Sequence, residues 1–227
     1  LMTNIRGTET VVEKAHKYNT RILVMSTSEI YGKNTSDSLS EDDDRILGSP
    51  LKSRWSYSEA KAIDEILAYT YWREKGLETV IIRLFNTVGP RQTGSYGMVI
   101  PRFVGQALRN EPITIFGDGN QTRCFCHVGD VVEGLVALSE HPEAFGKVFN
   151  LGGGEEVSIR ELAERVIELA GSQSSLEFIP YDTAYEAGFE DMERRVPNTT
   201  RAMQLVGFEP SASLDDIIRS VIDDQQA

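Results

Sequence analysis

The sequence predicts an α/β protein with a parallel sheet, because buried strand-like runs alternate with amphipathic helices along its 227 residues. The runs RILVMS at 21–26 and TVIIRL at 79–84 are mostly apolar. Such runs are typical of parallel strands that are covered on both faces. An apolar content of 40% is enough for a sizeable core.

The first half of the chain is predicted to contain two helices and two strands in alternation: helix 7–18, strand 21–26, helix 57–75 and strand 79–84. Gly76 follows the long helix and is suited to end it, because glycine adopts the left-handed conformation of a helix C-cap. The polar stretch 33–54 contains the acidic run 41–44, which we interpret as a solvated loop rather than a metal site.

The second half is predicted to contain shorter elements: helix 99–109, strand 113–116, strand 123–127, helix 128–139, strand 147–151, a helix from 158 and a final helix 214–223. The helix from Ser158 carries a capping box, since Glu161 follows three residues later. Gly171 is expected to end this helix.

Charge and cysteine content limit the function classes. The 23 basic and 35 acidic residues give a net charge of −12, which argues against binding of nucleic acid or of an anionic membrane surface. No apolar run has the roughly 20 residues of a membrane span. Cys124 and Cys126 lie too close on one strand to bridge easily, so a reducing, cytoplasmic compartment is expected, and no metal centre is predicted.

One group of residues points to acid–base chemistry. Thr27, Ser28 and Glu29 come directly after a buried strand, and Tyr57 and Lys61 share one face of the following helix. An ammonium one turn away can lower the pKa of a tyrosine, which then serves as a general base near neutral pH. Because open α/β sheets bind ligands at the carboxyl ends of their strands, Thr27 is well placed to share the proton of a substrate alcohol.

Six segments carry a resemblance to a known family: 26–32 (STSEIYG), 57–61 (YSEAK), 83–91 (RLFNTVGPR), 116–123 (FGDGNQTR), 150–152 (NLG) and 194–197 (RRVP). Their order along the chain resembles that of the extended short-chain dehydrogenases/reductases, a group of nucleotide-sugar epimerases, dehydratases and decarboxylases. The resemblance implies transient oxidation at C4 of a nucleotide-linked sugar, with NAD as the cofactor.

The resemblance also implies roles at the reacting end of the site. Tyr57 would be the catalytic base, and Lys61 its electrostatic partner and a ligand of the nicotinamide ribose. Thr27 would bind the C4 hydroxyl, with Ser28 and Glu29 completing the catalytic set. Two further residues would border the cofactor, namely Ser26 and Phe85.

The remaining implied roles concern the nucleotide diphosphate, preferably UDP. Asn86 and Arg91 would contact the sugar nucleotide, and Phe116 would border its base. Arg123 and Arg195 would grip the diphosphate, since paired arginines are the expected way for an acidic protein to bind phosphate.

The fold implied by the resemblance is a Rossmann-like doubly wound parallel sheet with a smaller C-terminal α+β part that binds the substrate. We expect residues 1–90 to form the nucleotide-binding part and 91–227 to be mostly substrate-binding, with about 123–151 returning to the first part. A homodimer is expected through the helices 5–18 and 60–75. Residues 182–195 are expected to cover the substrate.

One family feature has no counterpart in the sequence. The G-x-x-G-x-x-G loop that cradles the cofactor pyrophosphate is absent, and residues 4–8 resemble the start of the family's fourth helix. By that alignment, roughly 80 to 90 residues of the family pattern are expected to be missing before residue 1, which makes the Rossmann part N-terminally truncated. The glycines 152–154 do not replace the loop, because acidic residues follow them.

The reaction type stays open at this point. Ser28 stands where dehydratases of this group carry an aspartate, which weakens a dTDP- or GDP-sugar 4,6-dehydratase. Thr27-Ser28-Glu29 resembles UDP-glucuronate decarboxylases, whereas the segment 96–103 resembles sequences described only as epimerases or dehydratases. Decarboxylation and 4-epimerisation are held nearly equal, and a catalytically silent sugar-nucleotide-binding fragment is the alternative from another class.

Overall fold

A computed structural model describes residues 1–94, 98–184 and 192–227. Its helices are α1 Met2–Tyr18, α2 Ser56–Lys75, α3 Val99–Leu108, α4 Val128–Glu140, α5 Ile159–Leu169, α6 Tyr181–Ala184, α7 Thr200–Val206 and α8 Leu214–Gln226. Its strands are β1 Ile22–Thr27, β2 Thr79–Leu84, β3 Thr87–Val88, β4 Ile113–Phe116, β5 Thr122–Cys124, β6 Cys126–His127, β7 Lys147–Leu151, β8 Glu156–Ser158, β9 Leu176–Ile179 and β10 Arg194–Arg195.

A parallel sheet in the order β1-β2-β7 is covered by helices on both faces. Alternate residues of β2 point to opposite sides, as the period of two in a strand requires. Ile81 packs with Ala68 of α2, whereas Val80 and Ile82 pack in an apolar cluster with residues of α4 and α7. The sheet is therefore doubly wound, which confirms the predicted α/β class.

The helix ends follow the predicted capping chemistry. Gly76 ends α2 in the left-handed conformation at φ 67°, and its N–H donates to the carbonyl of Trp72. At the start of α5, the Ser158 hydroxyl accepts from the Glu161 N–H and the Glu161 carboxylate accepts from the Ser158 N–H. The capping box predicted at Ser158 is confirmed.

A second apolar core lies between α3, α5 and α8. It includes residues of β4, which pairs in parallel with β9, and of β8, which pairs antiparallel with β5; β5 also pairs in parallel with β10. The single strand predicted over 123–127 is wrong, because the chain divides there into β5 and β6. Phe125 packs in the second core and Cys126 in the first, so the chain passes from one core to the other at this point.

The C-terminal half returns to the first core at more than one place. β7 joins the parallel sheet and α4 packs on it, and α7 also packs against α4 and β7. No sequence pattern indicated the return of α7. The division near residue 90 stays a prediction.

The acidic run 41–44 is only partly solvated. Asp42 and Asp44 are exposed, but Glu41 is buried, and its carboxylate accepts the N–H of Asn150 at 2.9 Å. Its carbonyl accepts from Arg83, also at 2.9 Å. The prediction of a fully solvated loop is therefore wrong at Glu41, because this residue satisfies two buried donors. None of the described helices is long and apolar enough to cross a membrane.

Candidate active site

A cavity of about 770 Å³ lies at the carboxyl ends of β1 and β2. Its wall contains most of the predicted site residues: Ser26, Thr27, Glu29, Tyr57, Phe85, Asn86, Phe116, Arg123 and Arg195. The position agrees with the general placement of ligands outside the carboxyl edge of a parallel sheet. Three predicted residues, Ser28, Lys61 and Arg91, do not line the cavity.

The two hydroxyls at the end of β1, those of Ser26 and Thr27, make different hydrogen bonds. Thr27 closes the strand, and its Oγ1 accepts the N–H of Glu29 at 3.3 Å, which starts a short helical turn over 28–31. Ser26 donates instead to Oε1 of Glu65 on α2 at 2.5 Å. Ser26 therefore lies on the cavity wall but donates its hydroxyl proton to the buried Glu65, whereas the Thr27 hydroxyl donates to no acceptor among the described residues.

Tyr57 lies in the first turn of α2 and is 44% exposed at the cavity. Lys61 follows one turn later, and its Nζ lies 3.1 Å from Oδ2 of Asp64. Burial raises the pKa of Tyr57, and the negative charges of Glu29 and Asp64 raise it further. The expected lowering of this pKa is therefore wrong, mainly because Tyr57 is partly buried and lies near two carboxylates.

A cluster of charged and polar groups lies beside Tyr57. Glu29 pairs with Arg54, with Oε2 and Nη1 2.7 Å apart, and its Oε1 lies 4.0 Å from Nη1 of Arg195. Arg195 also donates to the Ser28 hydroxyl. Ser28 is thus connected to the cavity through Arg195, although Ser28 itself is fully buried.

Two arginines from distant parts of the sequence meet in one sheet. β10 pairs in parallel with β5, and this register places Arg195 directly opposite Arg123. Both side chains line the cavity, and Arg123 donates to the carbonyl of Thr122 at 2.8 Å. Paired guanidinium groups in a partly desolvated wall are suited to bind a diphosphate.

The far wall includes residues that sequence reasoning missed. The Arg102 guanidinium lies 4.5 Å from the centre of the Phe116 ring, and both border the cavity. Tyr181 is also in the wall, with its ring against Gly117, where a Cβ would lie 2.5 Å from the ring. The glycine-rich turn after β4 could have indicated the close approach of the Tyr181 ring to Gly117. Nothing in the sequence indicated that α3 carries Arg102 to the cavity.

Asn86 and Arg91 are less directly placed to contact a substrate in the cavity. Asn86 lines the cavity, but its side-chain amide donates to the carbonyl of Cys124 at 2.8 Å. Arg91 is exposed outside the cavity, in the left-handed conformation at φ 66°, and its N–H donates to Asp224 of α8. Half of the covering segment predicted at 182–195, namely 185–191, lies outside the described residues, as do 95–97.

Comparison with known proteins gives consistent relatives. Residues 1–152 match the family model for the NAD dependent epimerase/dehydratase family. The chain is 38% identical to a UDP-N-acetyl-alpha-D-glucosaminuronate decarboxylase of Bacillus cytotoxicus, over 97% of this chain and 68% of that protein. It is 37% identical to UDP-glucuronic acid decarboxylase 1 of Arabidopsis thaliana, over 99% of this chain but only 49% of that protein.

Solved structures agree with these relatives in fold. A UDP-glucuronic acid 4-epimerase of Bacillus cereus, solved with UDP-glucuronic acid and NAD, superposes with a TM-score of 0.87 at 29% identity. The superposition covers 99% of this chain and 68% of that one. The chain spans between about half and two thirds of the length of the relatives described here. The family model covers more than half of the chain, so the chain belongs to the NAD dependent epimerase/dehydratase family.

Proposed function

We propose that this chain carries the substrate site and the catalytic side chains of an enzyme that oxidises a UDP-hexuronic acid at C4 and then decarboxylates it. The observation that supports this most is the position of Thr27 and Tyr57 beside the cluster of Ser28, Glu29 and Arg195. The cavity thus offers acid–base groups next to an arginine that can bind the anionic diphosphate of the substrate. Two relatives described above are decarboxylases of UDP-linked uronic acids.

The side chains divide the chemistry between them. Tyr57 removes the proton of the C4 hydroxyl, and Thr27 hydrogen-bonds the same hydroxyl. The ketone at C4 makes the C5 carboxylate that of a β-keto acid. The bond from C5 to the carboxylate carbon then breaks, CO₂ leaves, and the electron pair delocalises to the C4 oxygen as an enolate. C5 takes up a proton from solvent, and Tyr57 returns its own proton to the C4 oxygen when the alcohol is restored.

Part of an NAD site fits the residues of this chain. A phenol on the cavity wall and an ammonium one turn behind it, at Tyr57 and Lys61, have the donor chemistry that a nicotinamide ribose requires. The chemistry that NAD supplies when bound is acceptance of a hydride from C4 and its return. The 227 residues contain no glycine-rich loop of the G-x-x-G-x-x-G type. We therefore assign only the nicotinamide end of the cofactor to described residues.

The substrate diphosphate is assigned to the two adjacent arginines, Arg123 and Arg195, which face each other across β5 and β10. Phe116, stacked against Arg102, would border the nucleotide base. Asn86 stays a proposed contact of the sugar nucleotide, with one of its two amide protons used by Cys124. We propose the same contact with the sugar nucleotide for Arg91, which has weaker support because this residue lies outside the cavity.

4-Epimerisation of the same substrate is the second candidate. It is supported by the similarity to the Bacillus cereus UDP-glucuronic acid 4-epimerase, whose fold superposes over nearly the whole chain. A 4,6-dehydratase has less support, although a dTDP-glucose 4,6-dehydratase of Bacillus anthracis superposes with a TM-score of 0.85. Ser28, in the position after Thr27, is a poor general acid for the loss of water.

Product analysis tests these assignments. The chain, joined to an N-terminal segment that carries the family's glycine-rich loop, is incubated with NAD and UDP-glucuronate, and the nucleotide sugars are identified by nuclear magnetic resonance. Decarboxylation gives CO₂ and a UDP-pentose, whereas epimerisation gives UDP-galacturonate and no CO₂. Binding of UDP-glucuronate without either product would overturn the proposed catalysis and favour a silent binding fragment.

We also propose a homodimer through α1 and α2. These helices pack against each other, and α2 exposes Ile63 and Ile66, the latter 61% exposed. Apolar residues on adjacent turns of a paired helix are suited to a four-helix interface. Ile66→Glu should convert a dimer to a monomer in analytical ultracentrifugation, and a wild-type monomer at micromolar concentration would contradict the proposal.

The cytoplasmic location stays a prediction, supported by two buried cysteines in the free thiol form.

A further inference from the structure

Three residues on one face of α2 form a ladder of ionisable groups. Tyr57, Lys61 and Asp64 stand at positions i, i+4 and i+7, so they follow one another along the helix. Asp64 is 0% exposed, and its Oδ2 lies 3.1 Å from Nζ of Lys61. Within the part of the chain that the structure describes, its other oxygen, Oδ1, makes no hydrogen bond.

A buried carboxylate with an unsatisfied oxygen is costly unless its charge is compensated. The neighbouring Glu65 is compensated fully, because Arg83 binds both of its oxygens, at 3.0 and 2.9 Å, and Ser26 donates to one of them. Asp64 takes no part in that network. Its compensating partner is the ammonium of Lys61, which links it to the site rather than to the core.

We propose that Asp64 is a positioning residue that holds the ammonium of Lys61 one helical turn behind Tyr57. The inference rests on the proposed function, in which Tyr57 is the base and Lys61 its partner. Both ends of the ion pair lie on α2, so the pairing holds the ammonium on the helix that carries Tyr57, whereas Glu29, the other carboxylate that raises the pKa of Tyr57, is paired with Arg54. The carboxylate of Asp64 also neutralises the charge of the Lys61 ammonium.

Ultraviolet titration of the Tyr57 phenol tests the proposal without substrate or NAD. The signal of Tyr57 is the difference between the chain and its Tyr57→Phe variant. Asp64→Asn should lower the pKa of Tyr57 by about one pH unit, because the ammonium is then no longer neutralised. Glu59→Gln is the matched control, since it removes an exposed carboxylate from the same helix and should leave this pKa unchanged. An unchanged pKa in Asp64→Asn would overturn the proposal.

A second background separates action through Lys61 from a direct effect of charge. If Asp64 acts through the lysine, Asp64→Asn should lower the pKa of Tyr57 by less than half as much when Lys61 is already Met. Equal shifts in both backgrounds would show that Asp64 acts directly on Tyr57, and the positioning role would be wrong.

Acetylation of lysines, measured by peptide mass spectrometry, gives an independent measurement if Asp64→Asn folds poorly. Lys61 should react several-fold faster in Asp64→Leu than in the wild-type chain, because the ion pair no longer holds it. Lys75, exposed at the end of the same helix, should react equally in both. Equal reactivity of Lys61 would contradict the proposal. Neither the titration nor the acetylation measurement requires turnover. Failure of the decarboxylation assay is therefore distinguishable from failure of this inference.

Discussion

Tyr57 is the residue on which the proposed chemistry depends, and its environment predicts a pH dependence. Burial and the charges of Glu29 and Asp64 raise its pKa above the ordinary value of 10. The base is the deprotonated form, and its fraction increases with pH up to that pKa. The value of kcat/KM, which reports the ligand-free protein, should therefore rise from pH 7 to pH 9.

The Tyr57→Phe variant is the control for this profile. It should lose about 10³-fold in turnover while binding UDP-glucuronate as the wild-type chain does, because the phenol acts on the proton rather than on substrate affinity. A flat profile for the wild-type chain, or full activity of Tyr57→Phe, would show that another group is the base.

A substitution of Ser28 tests whether the substrate carries a carboxylate or is a neutral sugar. The Ser28 hydroxyl accepts from Arg195, so the carboxylate of Ser28→Asp would occupy a cation of the diphosphate site for both ligands, and it would in addition repel a substrate carboxylate. Calorimetry should show a loss of about tenfold in affinity for UDP-glucuronate and a smaller loss for UDP-glucose. Equal losses for both ligands, with unchanged thermal unfolding, would contradict a carboxylate site at Ser28.

Residue types and their spacing predicted the acid–base part of this site, because Thr27 ends a buried strand and Tyr57 lies one turn before Lys61 on the next helix. Arg123 was placed in the site by the family resemblance alone. The contacts of Arg54 with Glu29 and of Arg102 with Phe116 could not be predicted, since they form only when separate elements meet. The Lys61–Asp64 pair shows a related limit: its spacing is visible in the sequence, but the burial of Asp64 is not.

At the scale of elements, a buried polar network ties the sheet to the segment that precedes α2. Arg83 of β2 binds Glu65 of α2, the Tyr31 hydroxyl at 3.0 Å and the carbonyl of Glu41. Tyr31 in turn donates to Asn150 of β7 at 2.7 Å. This network fixes α2, and with it Tyr57, relative to the ends of the strands.

Arg83→Met should therefore destabilise the protein strongly. Removing one partner of a buried ion pair leaves Glu65 uncompensated, and the expected loss in the free energy of unfolding is about 3–5 kcal/mol. Arg73→Ala, which removes an exposed pair with Glu74, should leave that free energy nearly unchanged. Urea denaturation measures both variants, and a similar loss in the two would contradict the structural role of the network.

The elements themselves were predicted best where an apolar run is long and has a clear end. The bounds of β2 and of β4 agree with the prediction, and Gly76 ends α2 as expected. Shorter elements were missed, among them β8, β9, β10 and α7. Strands of two to four residues depend on pairing with distant segments, as β10 does with β5, and local sequence does not specify such pairing.

At the scale of the whole molecule, the cavity forms where the doubly wound sheet meets the second core. The carboxyl end of β1 and the first turn of α2 supply the groups for acid–base chemistry, and β5 and β10 supply the paired arginines. The alternation of strands and helices was enough to predict the sheet. The approach of the second core was not predictable from local pattern, because Phe125 and Cys126, neighbours in sequence, belong to different cores.

Calorimetric titration of UDP-glucuronate into the chain tests the central claim most directly, since it asks whether this cavity binds a UDP-hexuronic acid. The wild-type chain should bind UDP-glucuronate more tightly than NAD, because its residues contain the paired arginines but no glycine-rich loop. Arg195→Ala should weaken binding of UDP-glucuronate by about 1.5–3 kcal/mol, the scale of a hydrogen bond to a charged group. Tight binding of NAD with no binding of UDP-glucuronate, or an Arg195→Ala variant that binds as well as the wild-type chain, would contradict the account.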